Sequence, residues 1–81
     1  MLIFCAELGV HSEHADELAN ILKAYDISYK SRRYVNHTDI FNDNIGTADI
    51  TWFSARVYTR HGYEQILEVL EESDLHIAIE A

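Results

Sequence analysis

The sequence contains no proline, only three glycines and a single cysteine. Without a Pro-, Gly- or Ser-rich stretch no linker marks a domain boundary, and three scattered glycines cannot form a glycine-rich phosphate loop. With Cys5 alone no internal disulfide can form, which excludes a disulfide-stapled secreted scaffold. No apolar run approaches the ~18–20 residues that span a bilayer. The first six residues lack a basic leader and meet Glu7 at once, so no signal peptide is expected and the cytoplasm is the expected compartment.

Basic residues are also few, six against fourteen acidic ones, for a net charge of −8. That balance opposes a chain-wide attraction to nucleic acid or to an anionic membrane. Five of the six, Lys30, Arg32, Arg33, Arg56 and Arg60, fall between positions 30 and 60. What is present is an ordinary globular composition, 48% hydrophobic and 25% charged, which argues against disorder. The 81 residues provide for one domain, 1–81, with one core. Domains of this size lie near the lower limit of independent stability, and oligomerisation is a common remedy.

Hydrophobic periodicity divides the chain into six elements. Residues 1–8 alternate as a strand that Gly9 should break. Ser12 is a plausible N-cap for a helix to about Tyr25, with Ala15, Leu18, Ala19, Leu22 and Tyr25 in one stripe. Residues 27–35 read as a second strand. The Asn- and Asp-rich stretch 36–48 reads mostly as loop, with a short helical turn within Thr38–Ile45 ended by Gly46. Residues 49–59 alternate as the strongest strand. A second helix follows Gly62, with Tyr63, Ile66, Leu67 and Leu70 in its stripe, and residues 75–80 form a last strand. The order βαββαβ predicts an α+β, ferredoxin-like fold: a four-stranded antiparallel sheet, spatial order 4-1-3-2, with two helices on one face.

In that arrangement the helices cover Leu2, Phe4, Thr51, Phe53, Val57, Ile77 and Ile79. The opposite face carries Ile3, Cys5, Lys30, Arg32, Tyr34, Ile50, Trp52, Arg56 and Tyr58. A contiguous patch of this make-up marks an interface, and Trp, Tyr and Arg dominate interface energies. Arg32, Tyr34, Trp52, Arg56 and Tyr58 are therefore the interface candidates, for a homodimer or for docking of a protein partner. Single-stranded nucleic acid is a third occupant, with bases on Trp52 and Tyr58 and phosphates on Lys30, Arg32 and Arg56. This layout is similar to RNA-recognition domains, which share the element order. Their aromatic signature on the third strand is absent from 49–59, and the net charge opposes the reading.

Placing the first and third strands adjacent and parallel would bring together the loops that follow them. His11, Ser12, Arg60 and His61 would then line an anion site at two helix N-termini. His11 and His14, with His61 or Glu7, form the metal alternative, although a bare His-x-x-His spacing is weak. No cofactor is implied, and no catalytic residue is assigned. Cys5 sits in a strand and reads as a small apolar filler, and Ser12 lacks a nucleophile elbow.

Both helices carry outward acids, Glu13, Asp16 and Glu17 on the first and Glu64, Glu68, Glu71 and Glu72 on the second, with Asp74 just beyond. These make a solubility surface, or a decoy that offers carboxylates to a nucleic-acid-binding protein. In size and charge the chain is similar to the small acidic proteins of phages and mobile elements that act stoichiometrically on a partner. The expected function is a non-enzymatic binding or regulatory protein, of inhibitor or adaptor type. A small-ligand domain or enzyme using His11, His14, Arg60 and His61 is the alternative.

Overall fold

The computed structural model describes residues 4–41 and 46–80. Alternation makes β1 (Phe4–His11), with Ala6, Leu8 and Val10 buried on one side and Cys5 and Glu7 on the other. The strand does not stop at Gly9, as the sequence suggests, but pairs it with Trp52 on one side and Ala78 on the other. The missing side chain serves packing here: a Cβ at Gly9 would lie 2.8 Å from Cη2 of Trp52.

A 3-10 turn, Ser12–His14, leads into α1 (Ala15–Ala24), whose Leu18 and Leu22 are buried. Ser12 does not cap this helix, because its hydroxyl reaches across to side chains of the third strand. The helix closes in a Schellman motif, with Ile27 N–H donating to the Leu22 carbonyl at 2.9 Å and Asp26 N–H to Lys23 at 3.1 Å. Asp26 takes the left-handed position at φ 58°, which Asp tolerates better than most residues.

The reversal feeds β2 (Ser28–Thr38), which is joined to β3 (Thr47–Val57). Both strands extend into the Asn- and Asp-rich stretch that reads as loop. A register shift between Tyr34 and His37 absorbs one irregular step and lets the pairing continue to Thr38↔Thr47. Of the expected helical turn within Thr38–Ile45, Ile40 and Phe41 form a turn, and residues 42–45 lie outside the described residues. α2 (Arg60–Glu72) starts two residues before Gly62, capped by the Thr59 hydroxyl, which accepts from Gly62 N–H at 3.0 Å. β4 is limited to Ala78–Glu80, shorter than the alternation from Leu75 implies.

The sheet order is β2-β3-β1-β4, every neighbouring pair is antiparallel, and the expected ferredoxin-like α+β architecture holds. One detail of the expectation is overturned: β1 and β3 are antiparallel. The crossover through α1 makes β2 run with β1, and β3 must then oppose both, because it returns from β2 as a hairpin. Both helices lie on one face. Leu18, Leu22, Ile66 and Leu70 meet Leu8, Val10, Phe53 and Ala55 in a shared core. Phe4 packs on Tyr63 of α2 with ring centroids 5.8 Å apart.

Candidate functional site

The antiparallel register writes the open face as rows across the sheet. One row runs Glu80–Glu7–Ser54–Lys30, and the next runs Ala78–Gly9–Trp52–Arg32. Cys5, Arg56 and Ser28 form a third row, and His11, Ile50 and Tyr34 a fourth. The expected interface residues Arg32, Tyr34, Trp52 and Arg56 therefore share this face. The Arg32 guanidinium lies 5.4 Å from the Tyr34 ring centre. Tyr58 stands apart from them. It lies beyond the end of β3, exposed, and lines a cleft with Tyr25, Ile27 and Ile66. Cys5 is exposed on this face, the side to which strand alternation assigns it.

The residues after β2 fold back over one end of this face. His11 Nε2 and Phe41 N–H both donate to Oδ1 of Asp39, each at 3.2 Å, and Asp39 N–H donates to the Gly46 carbonyl at 3.1 Å. The Phe41 ring stands edge-on between His11 and His76, and Ile40 Cδ1 would lie 3.0 Å from a Cβ at Gly9. Ile50, on the open side of β3, is fully buried. Trp52 Nε1–H donates to His37 Nε2 at 3.4 Å, while His37 Nδ1 lies 2.7 Å from the Thr38 carbonyl. With its proton on Nδ1 the His37 ring donates to that carbonyl and accepts from the indole.

On the helix side, at the end of β1, a cleft of about 630 Å³ is lined by His11, Ser12, Arg33, Asp49 and Thr51, among others. Arg33 grips Asp49 with two nitrogens, its Nε lying 2.9 Å and 3.0 Å from the two carboxylate oxygens. Ser12 donates to Asp49 at 2.6 Å. Its single proton is thereby used, so Thr51 donates to Ser12 Oγ at 2.7 Å. The hydrogen bonds from Arg33, then from Ser12, hold the Asp49 carboxyl at about 2, below its ordinary 3.8, against the opposing effect of burial. Arg33 is raised in turn by the same pair.

A depressed carboxylate stabilises the fold above its unfolded value and loses that contribution as pH falls through the folded one. The urea midpoint of the wild type should therefore drop between about pH 4 and pH 2, and Asp49→Asn should flatten the curve in that window. Equal slopes in the two proteins would show that the pair does not form in solution.

Because β1 and β3 are antiparallel, His11 and Ser12 lie at one end of the sheet, and Arg60 and His61 follow β3 at the other. The four do not share a corner. Arg60 instead pairs with Glu64 one turn along α2, at 3.3 Å. His76 takes the place expected of His61: with His11, His14, Asp39, Asp74 and Phe41 it lines a cleft of about 570 Å³. The β1–β4 register continued past Gly9↔Ala78 sets residue 76 opposite residue 11, a signal available once that pairing is known. Glu7, the other expected metal ligand, accepts the Ser54 hydroxyl at 2.8 and 2.9 Å on the open face. Among the described residues no three His, Cys, Asp or Glu side chains converge as a metal-ligand set. No described helix is long and apolar enough to cross a membrane.

No protein-family model matches the chain, and no curated protein matches it. Solved structures do. A PII-like signalling protein from Thermus thermophilus superposes with a TM-score of 0.68 at 12% identity, covering 99% of this chain and 87% of that one. CPII from Thiomonas intermedia, bound to ADP and bicarbonate, superposes with a TM-score of 0.64 at 10% identity, covering 98% and 87%. The same protein, described as a nitrogen regulatory PII-like protein and bound to ADP, AMP and bicarbonate, gives 0.57 at 9% identity over 98% and 91%. Identities this low speak for architecture alone. The chain has the ferredoxin-like βαββαβ fold found in these PII-like proteins.

Proposed function

We propose that this chain is a small acidic regulatory protein that works by binding: it acts stoichiometrically on a protein partner, as an inhibitor or adaptor, and self-associates as a homodimer through its open sheet face. The observation that carries the reading is that face. Both helices pack on the other side, and the turn at Ile40 and Phe41 reaches only one end of it. Arg32, Tyr34, Trp52 and Arg56 lie on this face, Trp52 half-buried beside the turn, Tyr34 38% exposed and Arg56 exposed toward the other end. These residue types supply most interface energy, and a small domain gains a larger shared core when its open sheet is covered. The fold likeness to signalling and nitrogen regulatory proteins favours regulation over catalysis.

A second reading, a small-ligand domain, is favoured by one observation: CPII carries ADP with bicarbonate on a similar fold. We would seat such a ligand in the cleft at Ser12 and Thr51, where Arg33 would have to leave Asp49 to meet a phosphate.

Light scattering on the wild type, Trp52→Ala and Arg56→Ala, together with thermal melts of the wild type and Arg33→Ala with and without ADP, separates the two. Under the first reading the wild type has twice the 9.4 kDa chain mass, and both variants shift toward one chain. Under the second, ADP raises the melting temperature of the wild type but not of Arg33→Ala, and the mass ignores Trp52 and Arg56. A monomer indifferent to ADP refutes both the homodimer and the ADP site.

A further inference from the structure

β2 (Ser28–Thr38) is an edge of the sheet, and the longer one, since β4 at the other edge covers only Ala78–Glu80. Its ladder with β3 is regular from Ser28 to Tyr34, and every residue of that stretch except Tyr29 is exposed. In an antiparallel ladder alternate residues aim N–H and C=O away from the partner strand. Among the described residues no other backbone group bonds to those outward groups between Ser28 and Tyr34. The turn at Ile40 and Phe41 folds over Gly9 and His11 of β1, across β3 from this edge, and leaves it open. The edge is also basic. Lys30 and Arg32 share the open face, and among the described residues neither is in an ion pair, whereas Arg33 is held by Asp49. β2 contains no acidic residue, in a chain of net charge −8.

We propose that the outer edge of β2 is the docking site for an extended acidic segment of the protein partner, which adds to the sheet as a further strand. The inference rests on the partner-binding reading above, and it names the contact and its place. Main-chain hydrogen bonds along the edge supply affinity, and the side chains set opposite Lys30 and Arg32 supply the choice of partner. Directly paired residues share a face with their Cβ atoms about 5 Å apart, so carboxylates at alternate positions of the added strand meet both cations. The residue between them falls opposite Ser31 on the helix side, beside the half-buried Tyr29, whose ring stacks on Phe53. An apolar side chain there extends the cover over Tyr29. The recognised pattern is therefore acidic, apolar, acidic, in a segment free to lie straight.

The same two cations turn other occupants away. Two copies paired edge to edge about Ser31 would set Lys30 of each against Arg32 of the other, and like charges directly opposed are destabilising. Nucleic acid would meet the cations but has no peptide groups to complete the ladder, and the net charge of −8 repels it. An acidic strand satisfies the backbone and the charge together.

The probe is a short acetylated peptide of alternating glutamate and valine, with a lysine–valine peptide as control, each titrated to about 1 mM by fluorescence anisotropy. The glutamate peptide should bind and the lysine peptide should not. Amide exchange followed by NMR should show alternate amides between Ser28 and Tyr34 slowed at least about tenfold by the bound peptide, with those of β4 unchanged. Lys30→Glu combined with Arg32→Glu should weaken the glutamate peptide about tenfold and admit the lysine peptide. Both positions are exposed, and circular dichroism verifies folding. Lys30→Gln with Arg32→Gln, expected to weaken binding about threefold, serves if the reversals prevent folding. A glutamate peptide that does not bind, two peptides that bind alike, or a bound peptide that leaves the β2 amides unprotected overturns the edge site. So does protection of those amides by rising protein concentration alone, which places a second copy there, or an oligothymidylate that protects them as well as the peptide does. None of these results touches the open-face homodimer, which the mass of Trp52→Ala tests. A monomeric wild type removes that dimer and leaves the edge to be decided by the peptide.

Discussion

Leu18→Ala should cost about 2–5 kcal/mol of stability, the usual loss for emptying a filled core site. Leu18 is fully buried on α1 and belongs to the cluster that joins both helices to β1 and β3. At roughly 0.05–0.15 kcal/mol per residue, a chain of 81 residues has about 4–12 kcal/mol in all, so one substitution removes a large share. Melting should fall by roughly 8–40 °C, because a domain of this size shifts about 4–8 °C per kcal/mol. Urea unfolding followed by circular dichroism would show a lower midpoint with an unchanged slope. Asp16→Ala, exposed on the same helix, should stay within about 0.5 kcal/mol of the wild type. If Leu18→Ala matched that control, α1 would not be seated on the sheet as described.

Gly9→Val should cost about 1–3 kcal/mol and move the only tryptophan. A Cβ at residue 9 would lie 2.8 and 2.9 Å from two ring carbons of Trp52 and 3.0 Å from Ile40 Cδ1, all closer than atoms pack. Valine suits a strand and narrows the unfolded ensemble, which offsets part of the loss. The indole must nonetheless swing away, giving up its hydrogen bond to His37. Trp52 emission should shift to the red as the ring gains solvent. In the Trp52→Ala background the cost of Gly9→Val should shrink, since its clash partner is gone, and a double-mutant cycle would measure the coupling. Additive costs with unchanged emission would mean that ring and glycine do not touch.

Most of the fold was legible because two periods are hard to confuse over long segments. Leu18 and Leu22 on α1, and Ile66 and Leu70 on α2, repeat at helical spacing, and Phe53 and Ala55 alternate on β3. The errors have local physical causes. Gly9 and the Asn- and Asp-rich residues after Tyr34 carry turn-forming chemistry. Here the ring of Trp52 overrode that preference at Gly9, and the long ladder with β3 did so after Tyr34. Ser12 has the chemistry of a helix cap, but its hydroxyl donates to Asp49 and accepts from Thr51 on a neighbouring strand.

The candidate site was legible only in part. Strand parity placed Arg32, Trp52 and Arg56 on one face, because alternation follows from the strand backbone itself. The histidine corner failed because whether His11 meets His61 or His76 depends on the direction of β1 relative to β3, and chain direction leaves no trace in periodicity. By itself the sequence determined which residues alternate, which face each belongs to and the order of elements, all of which follow from local backbone geometry. The tertiary structure alone decided the direction of β1 against β3 and the pairing register, and so which distant side chains meet: Glu80 beside Glu7, Arg33 on Asp49 and His76 near His11. Those encounters join residues far apart in the chain, and pairing register and topology set them.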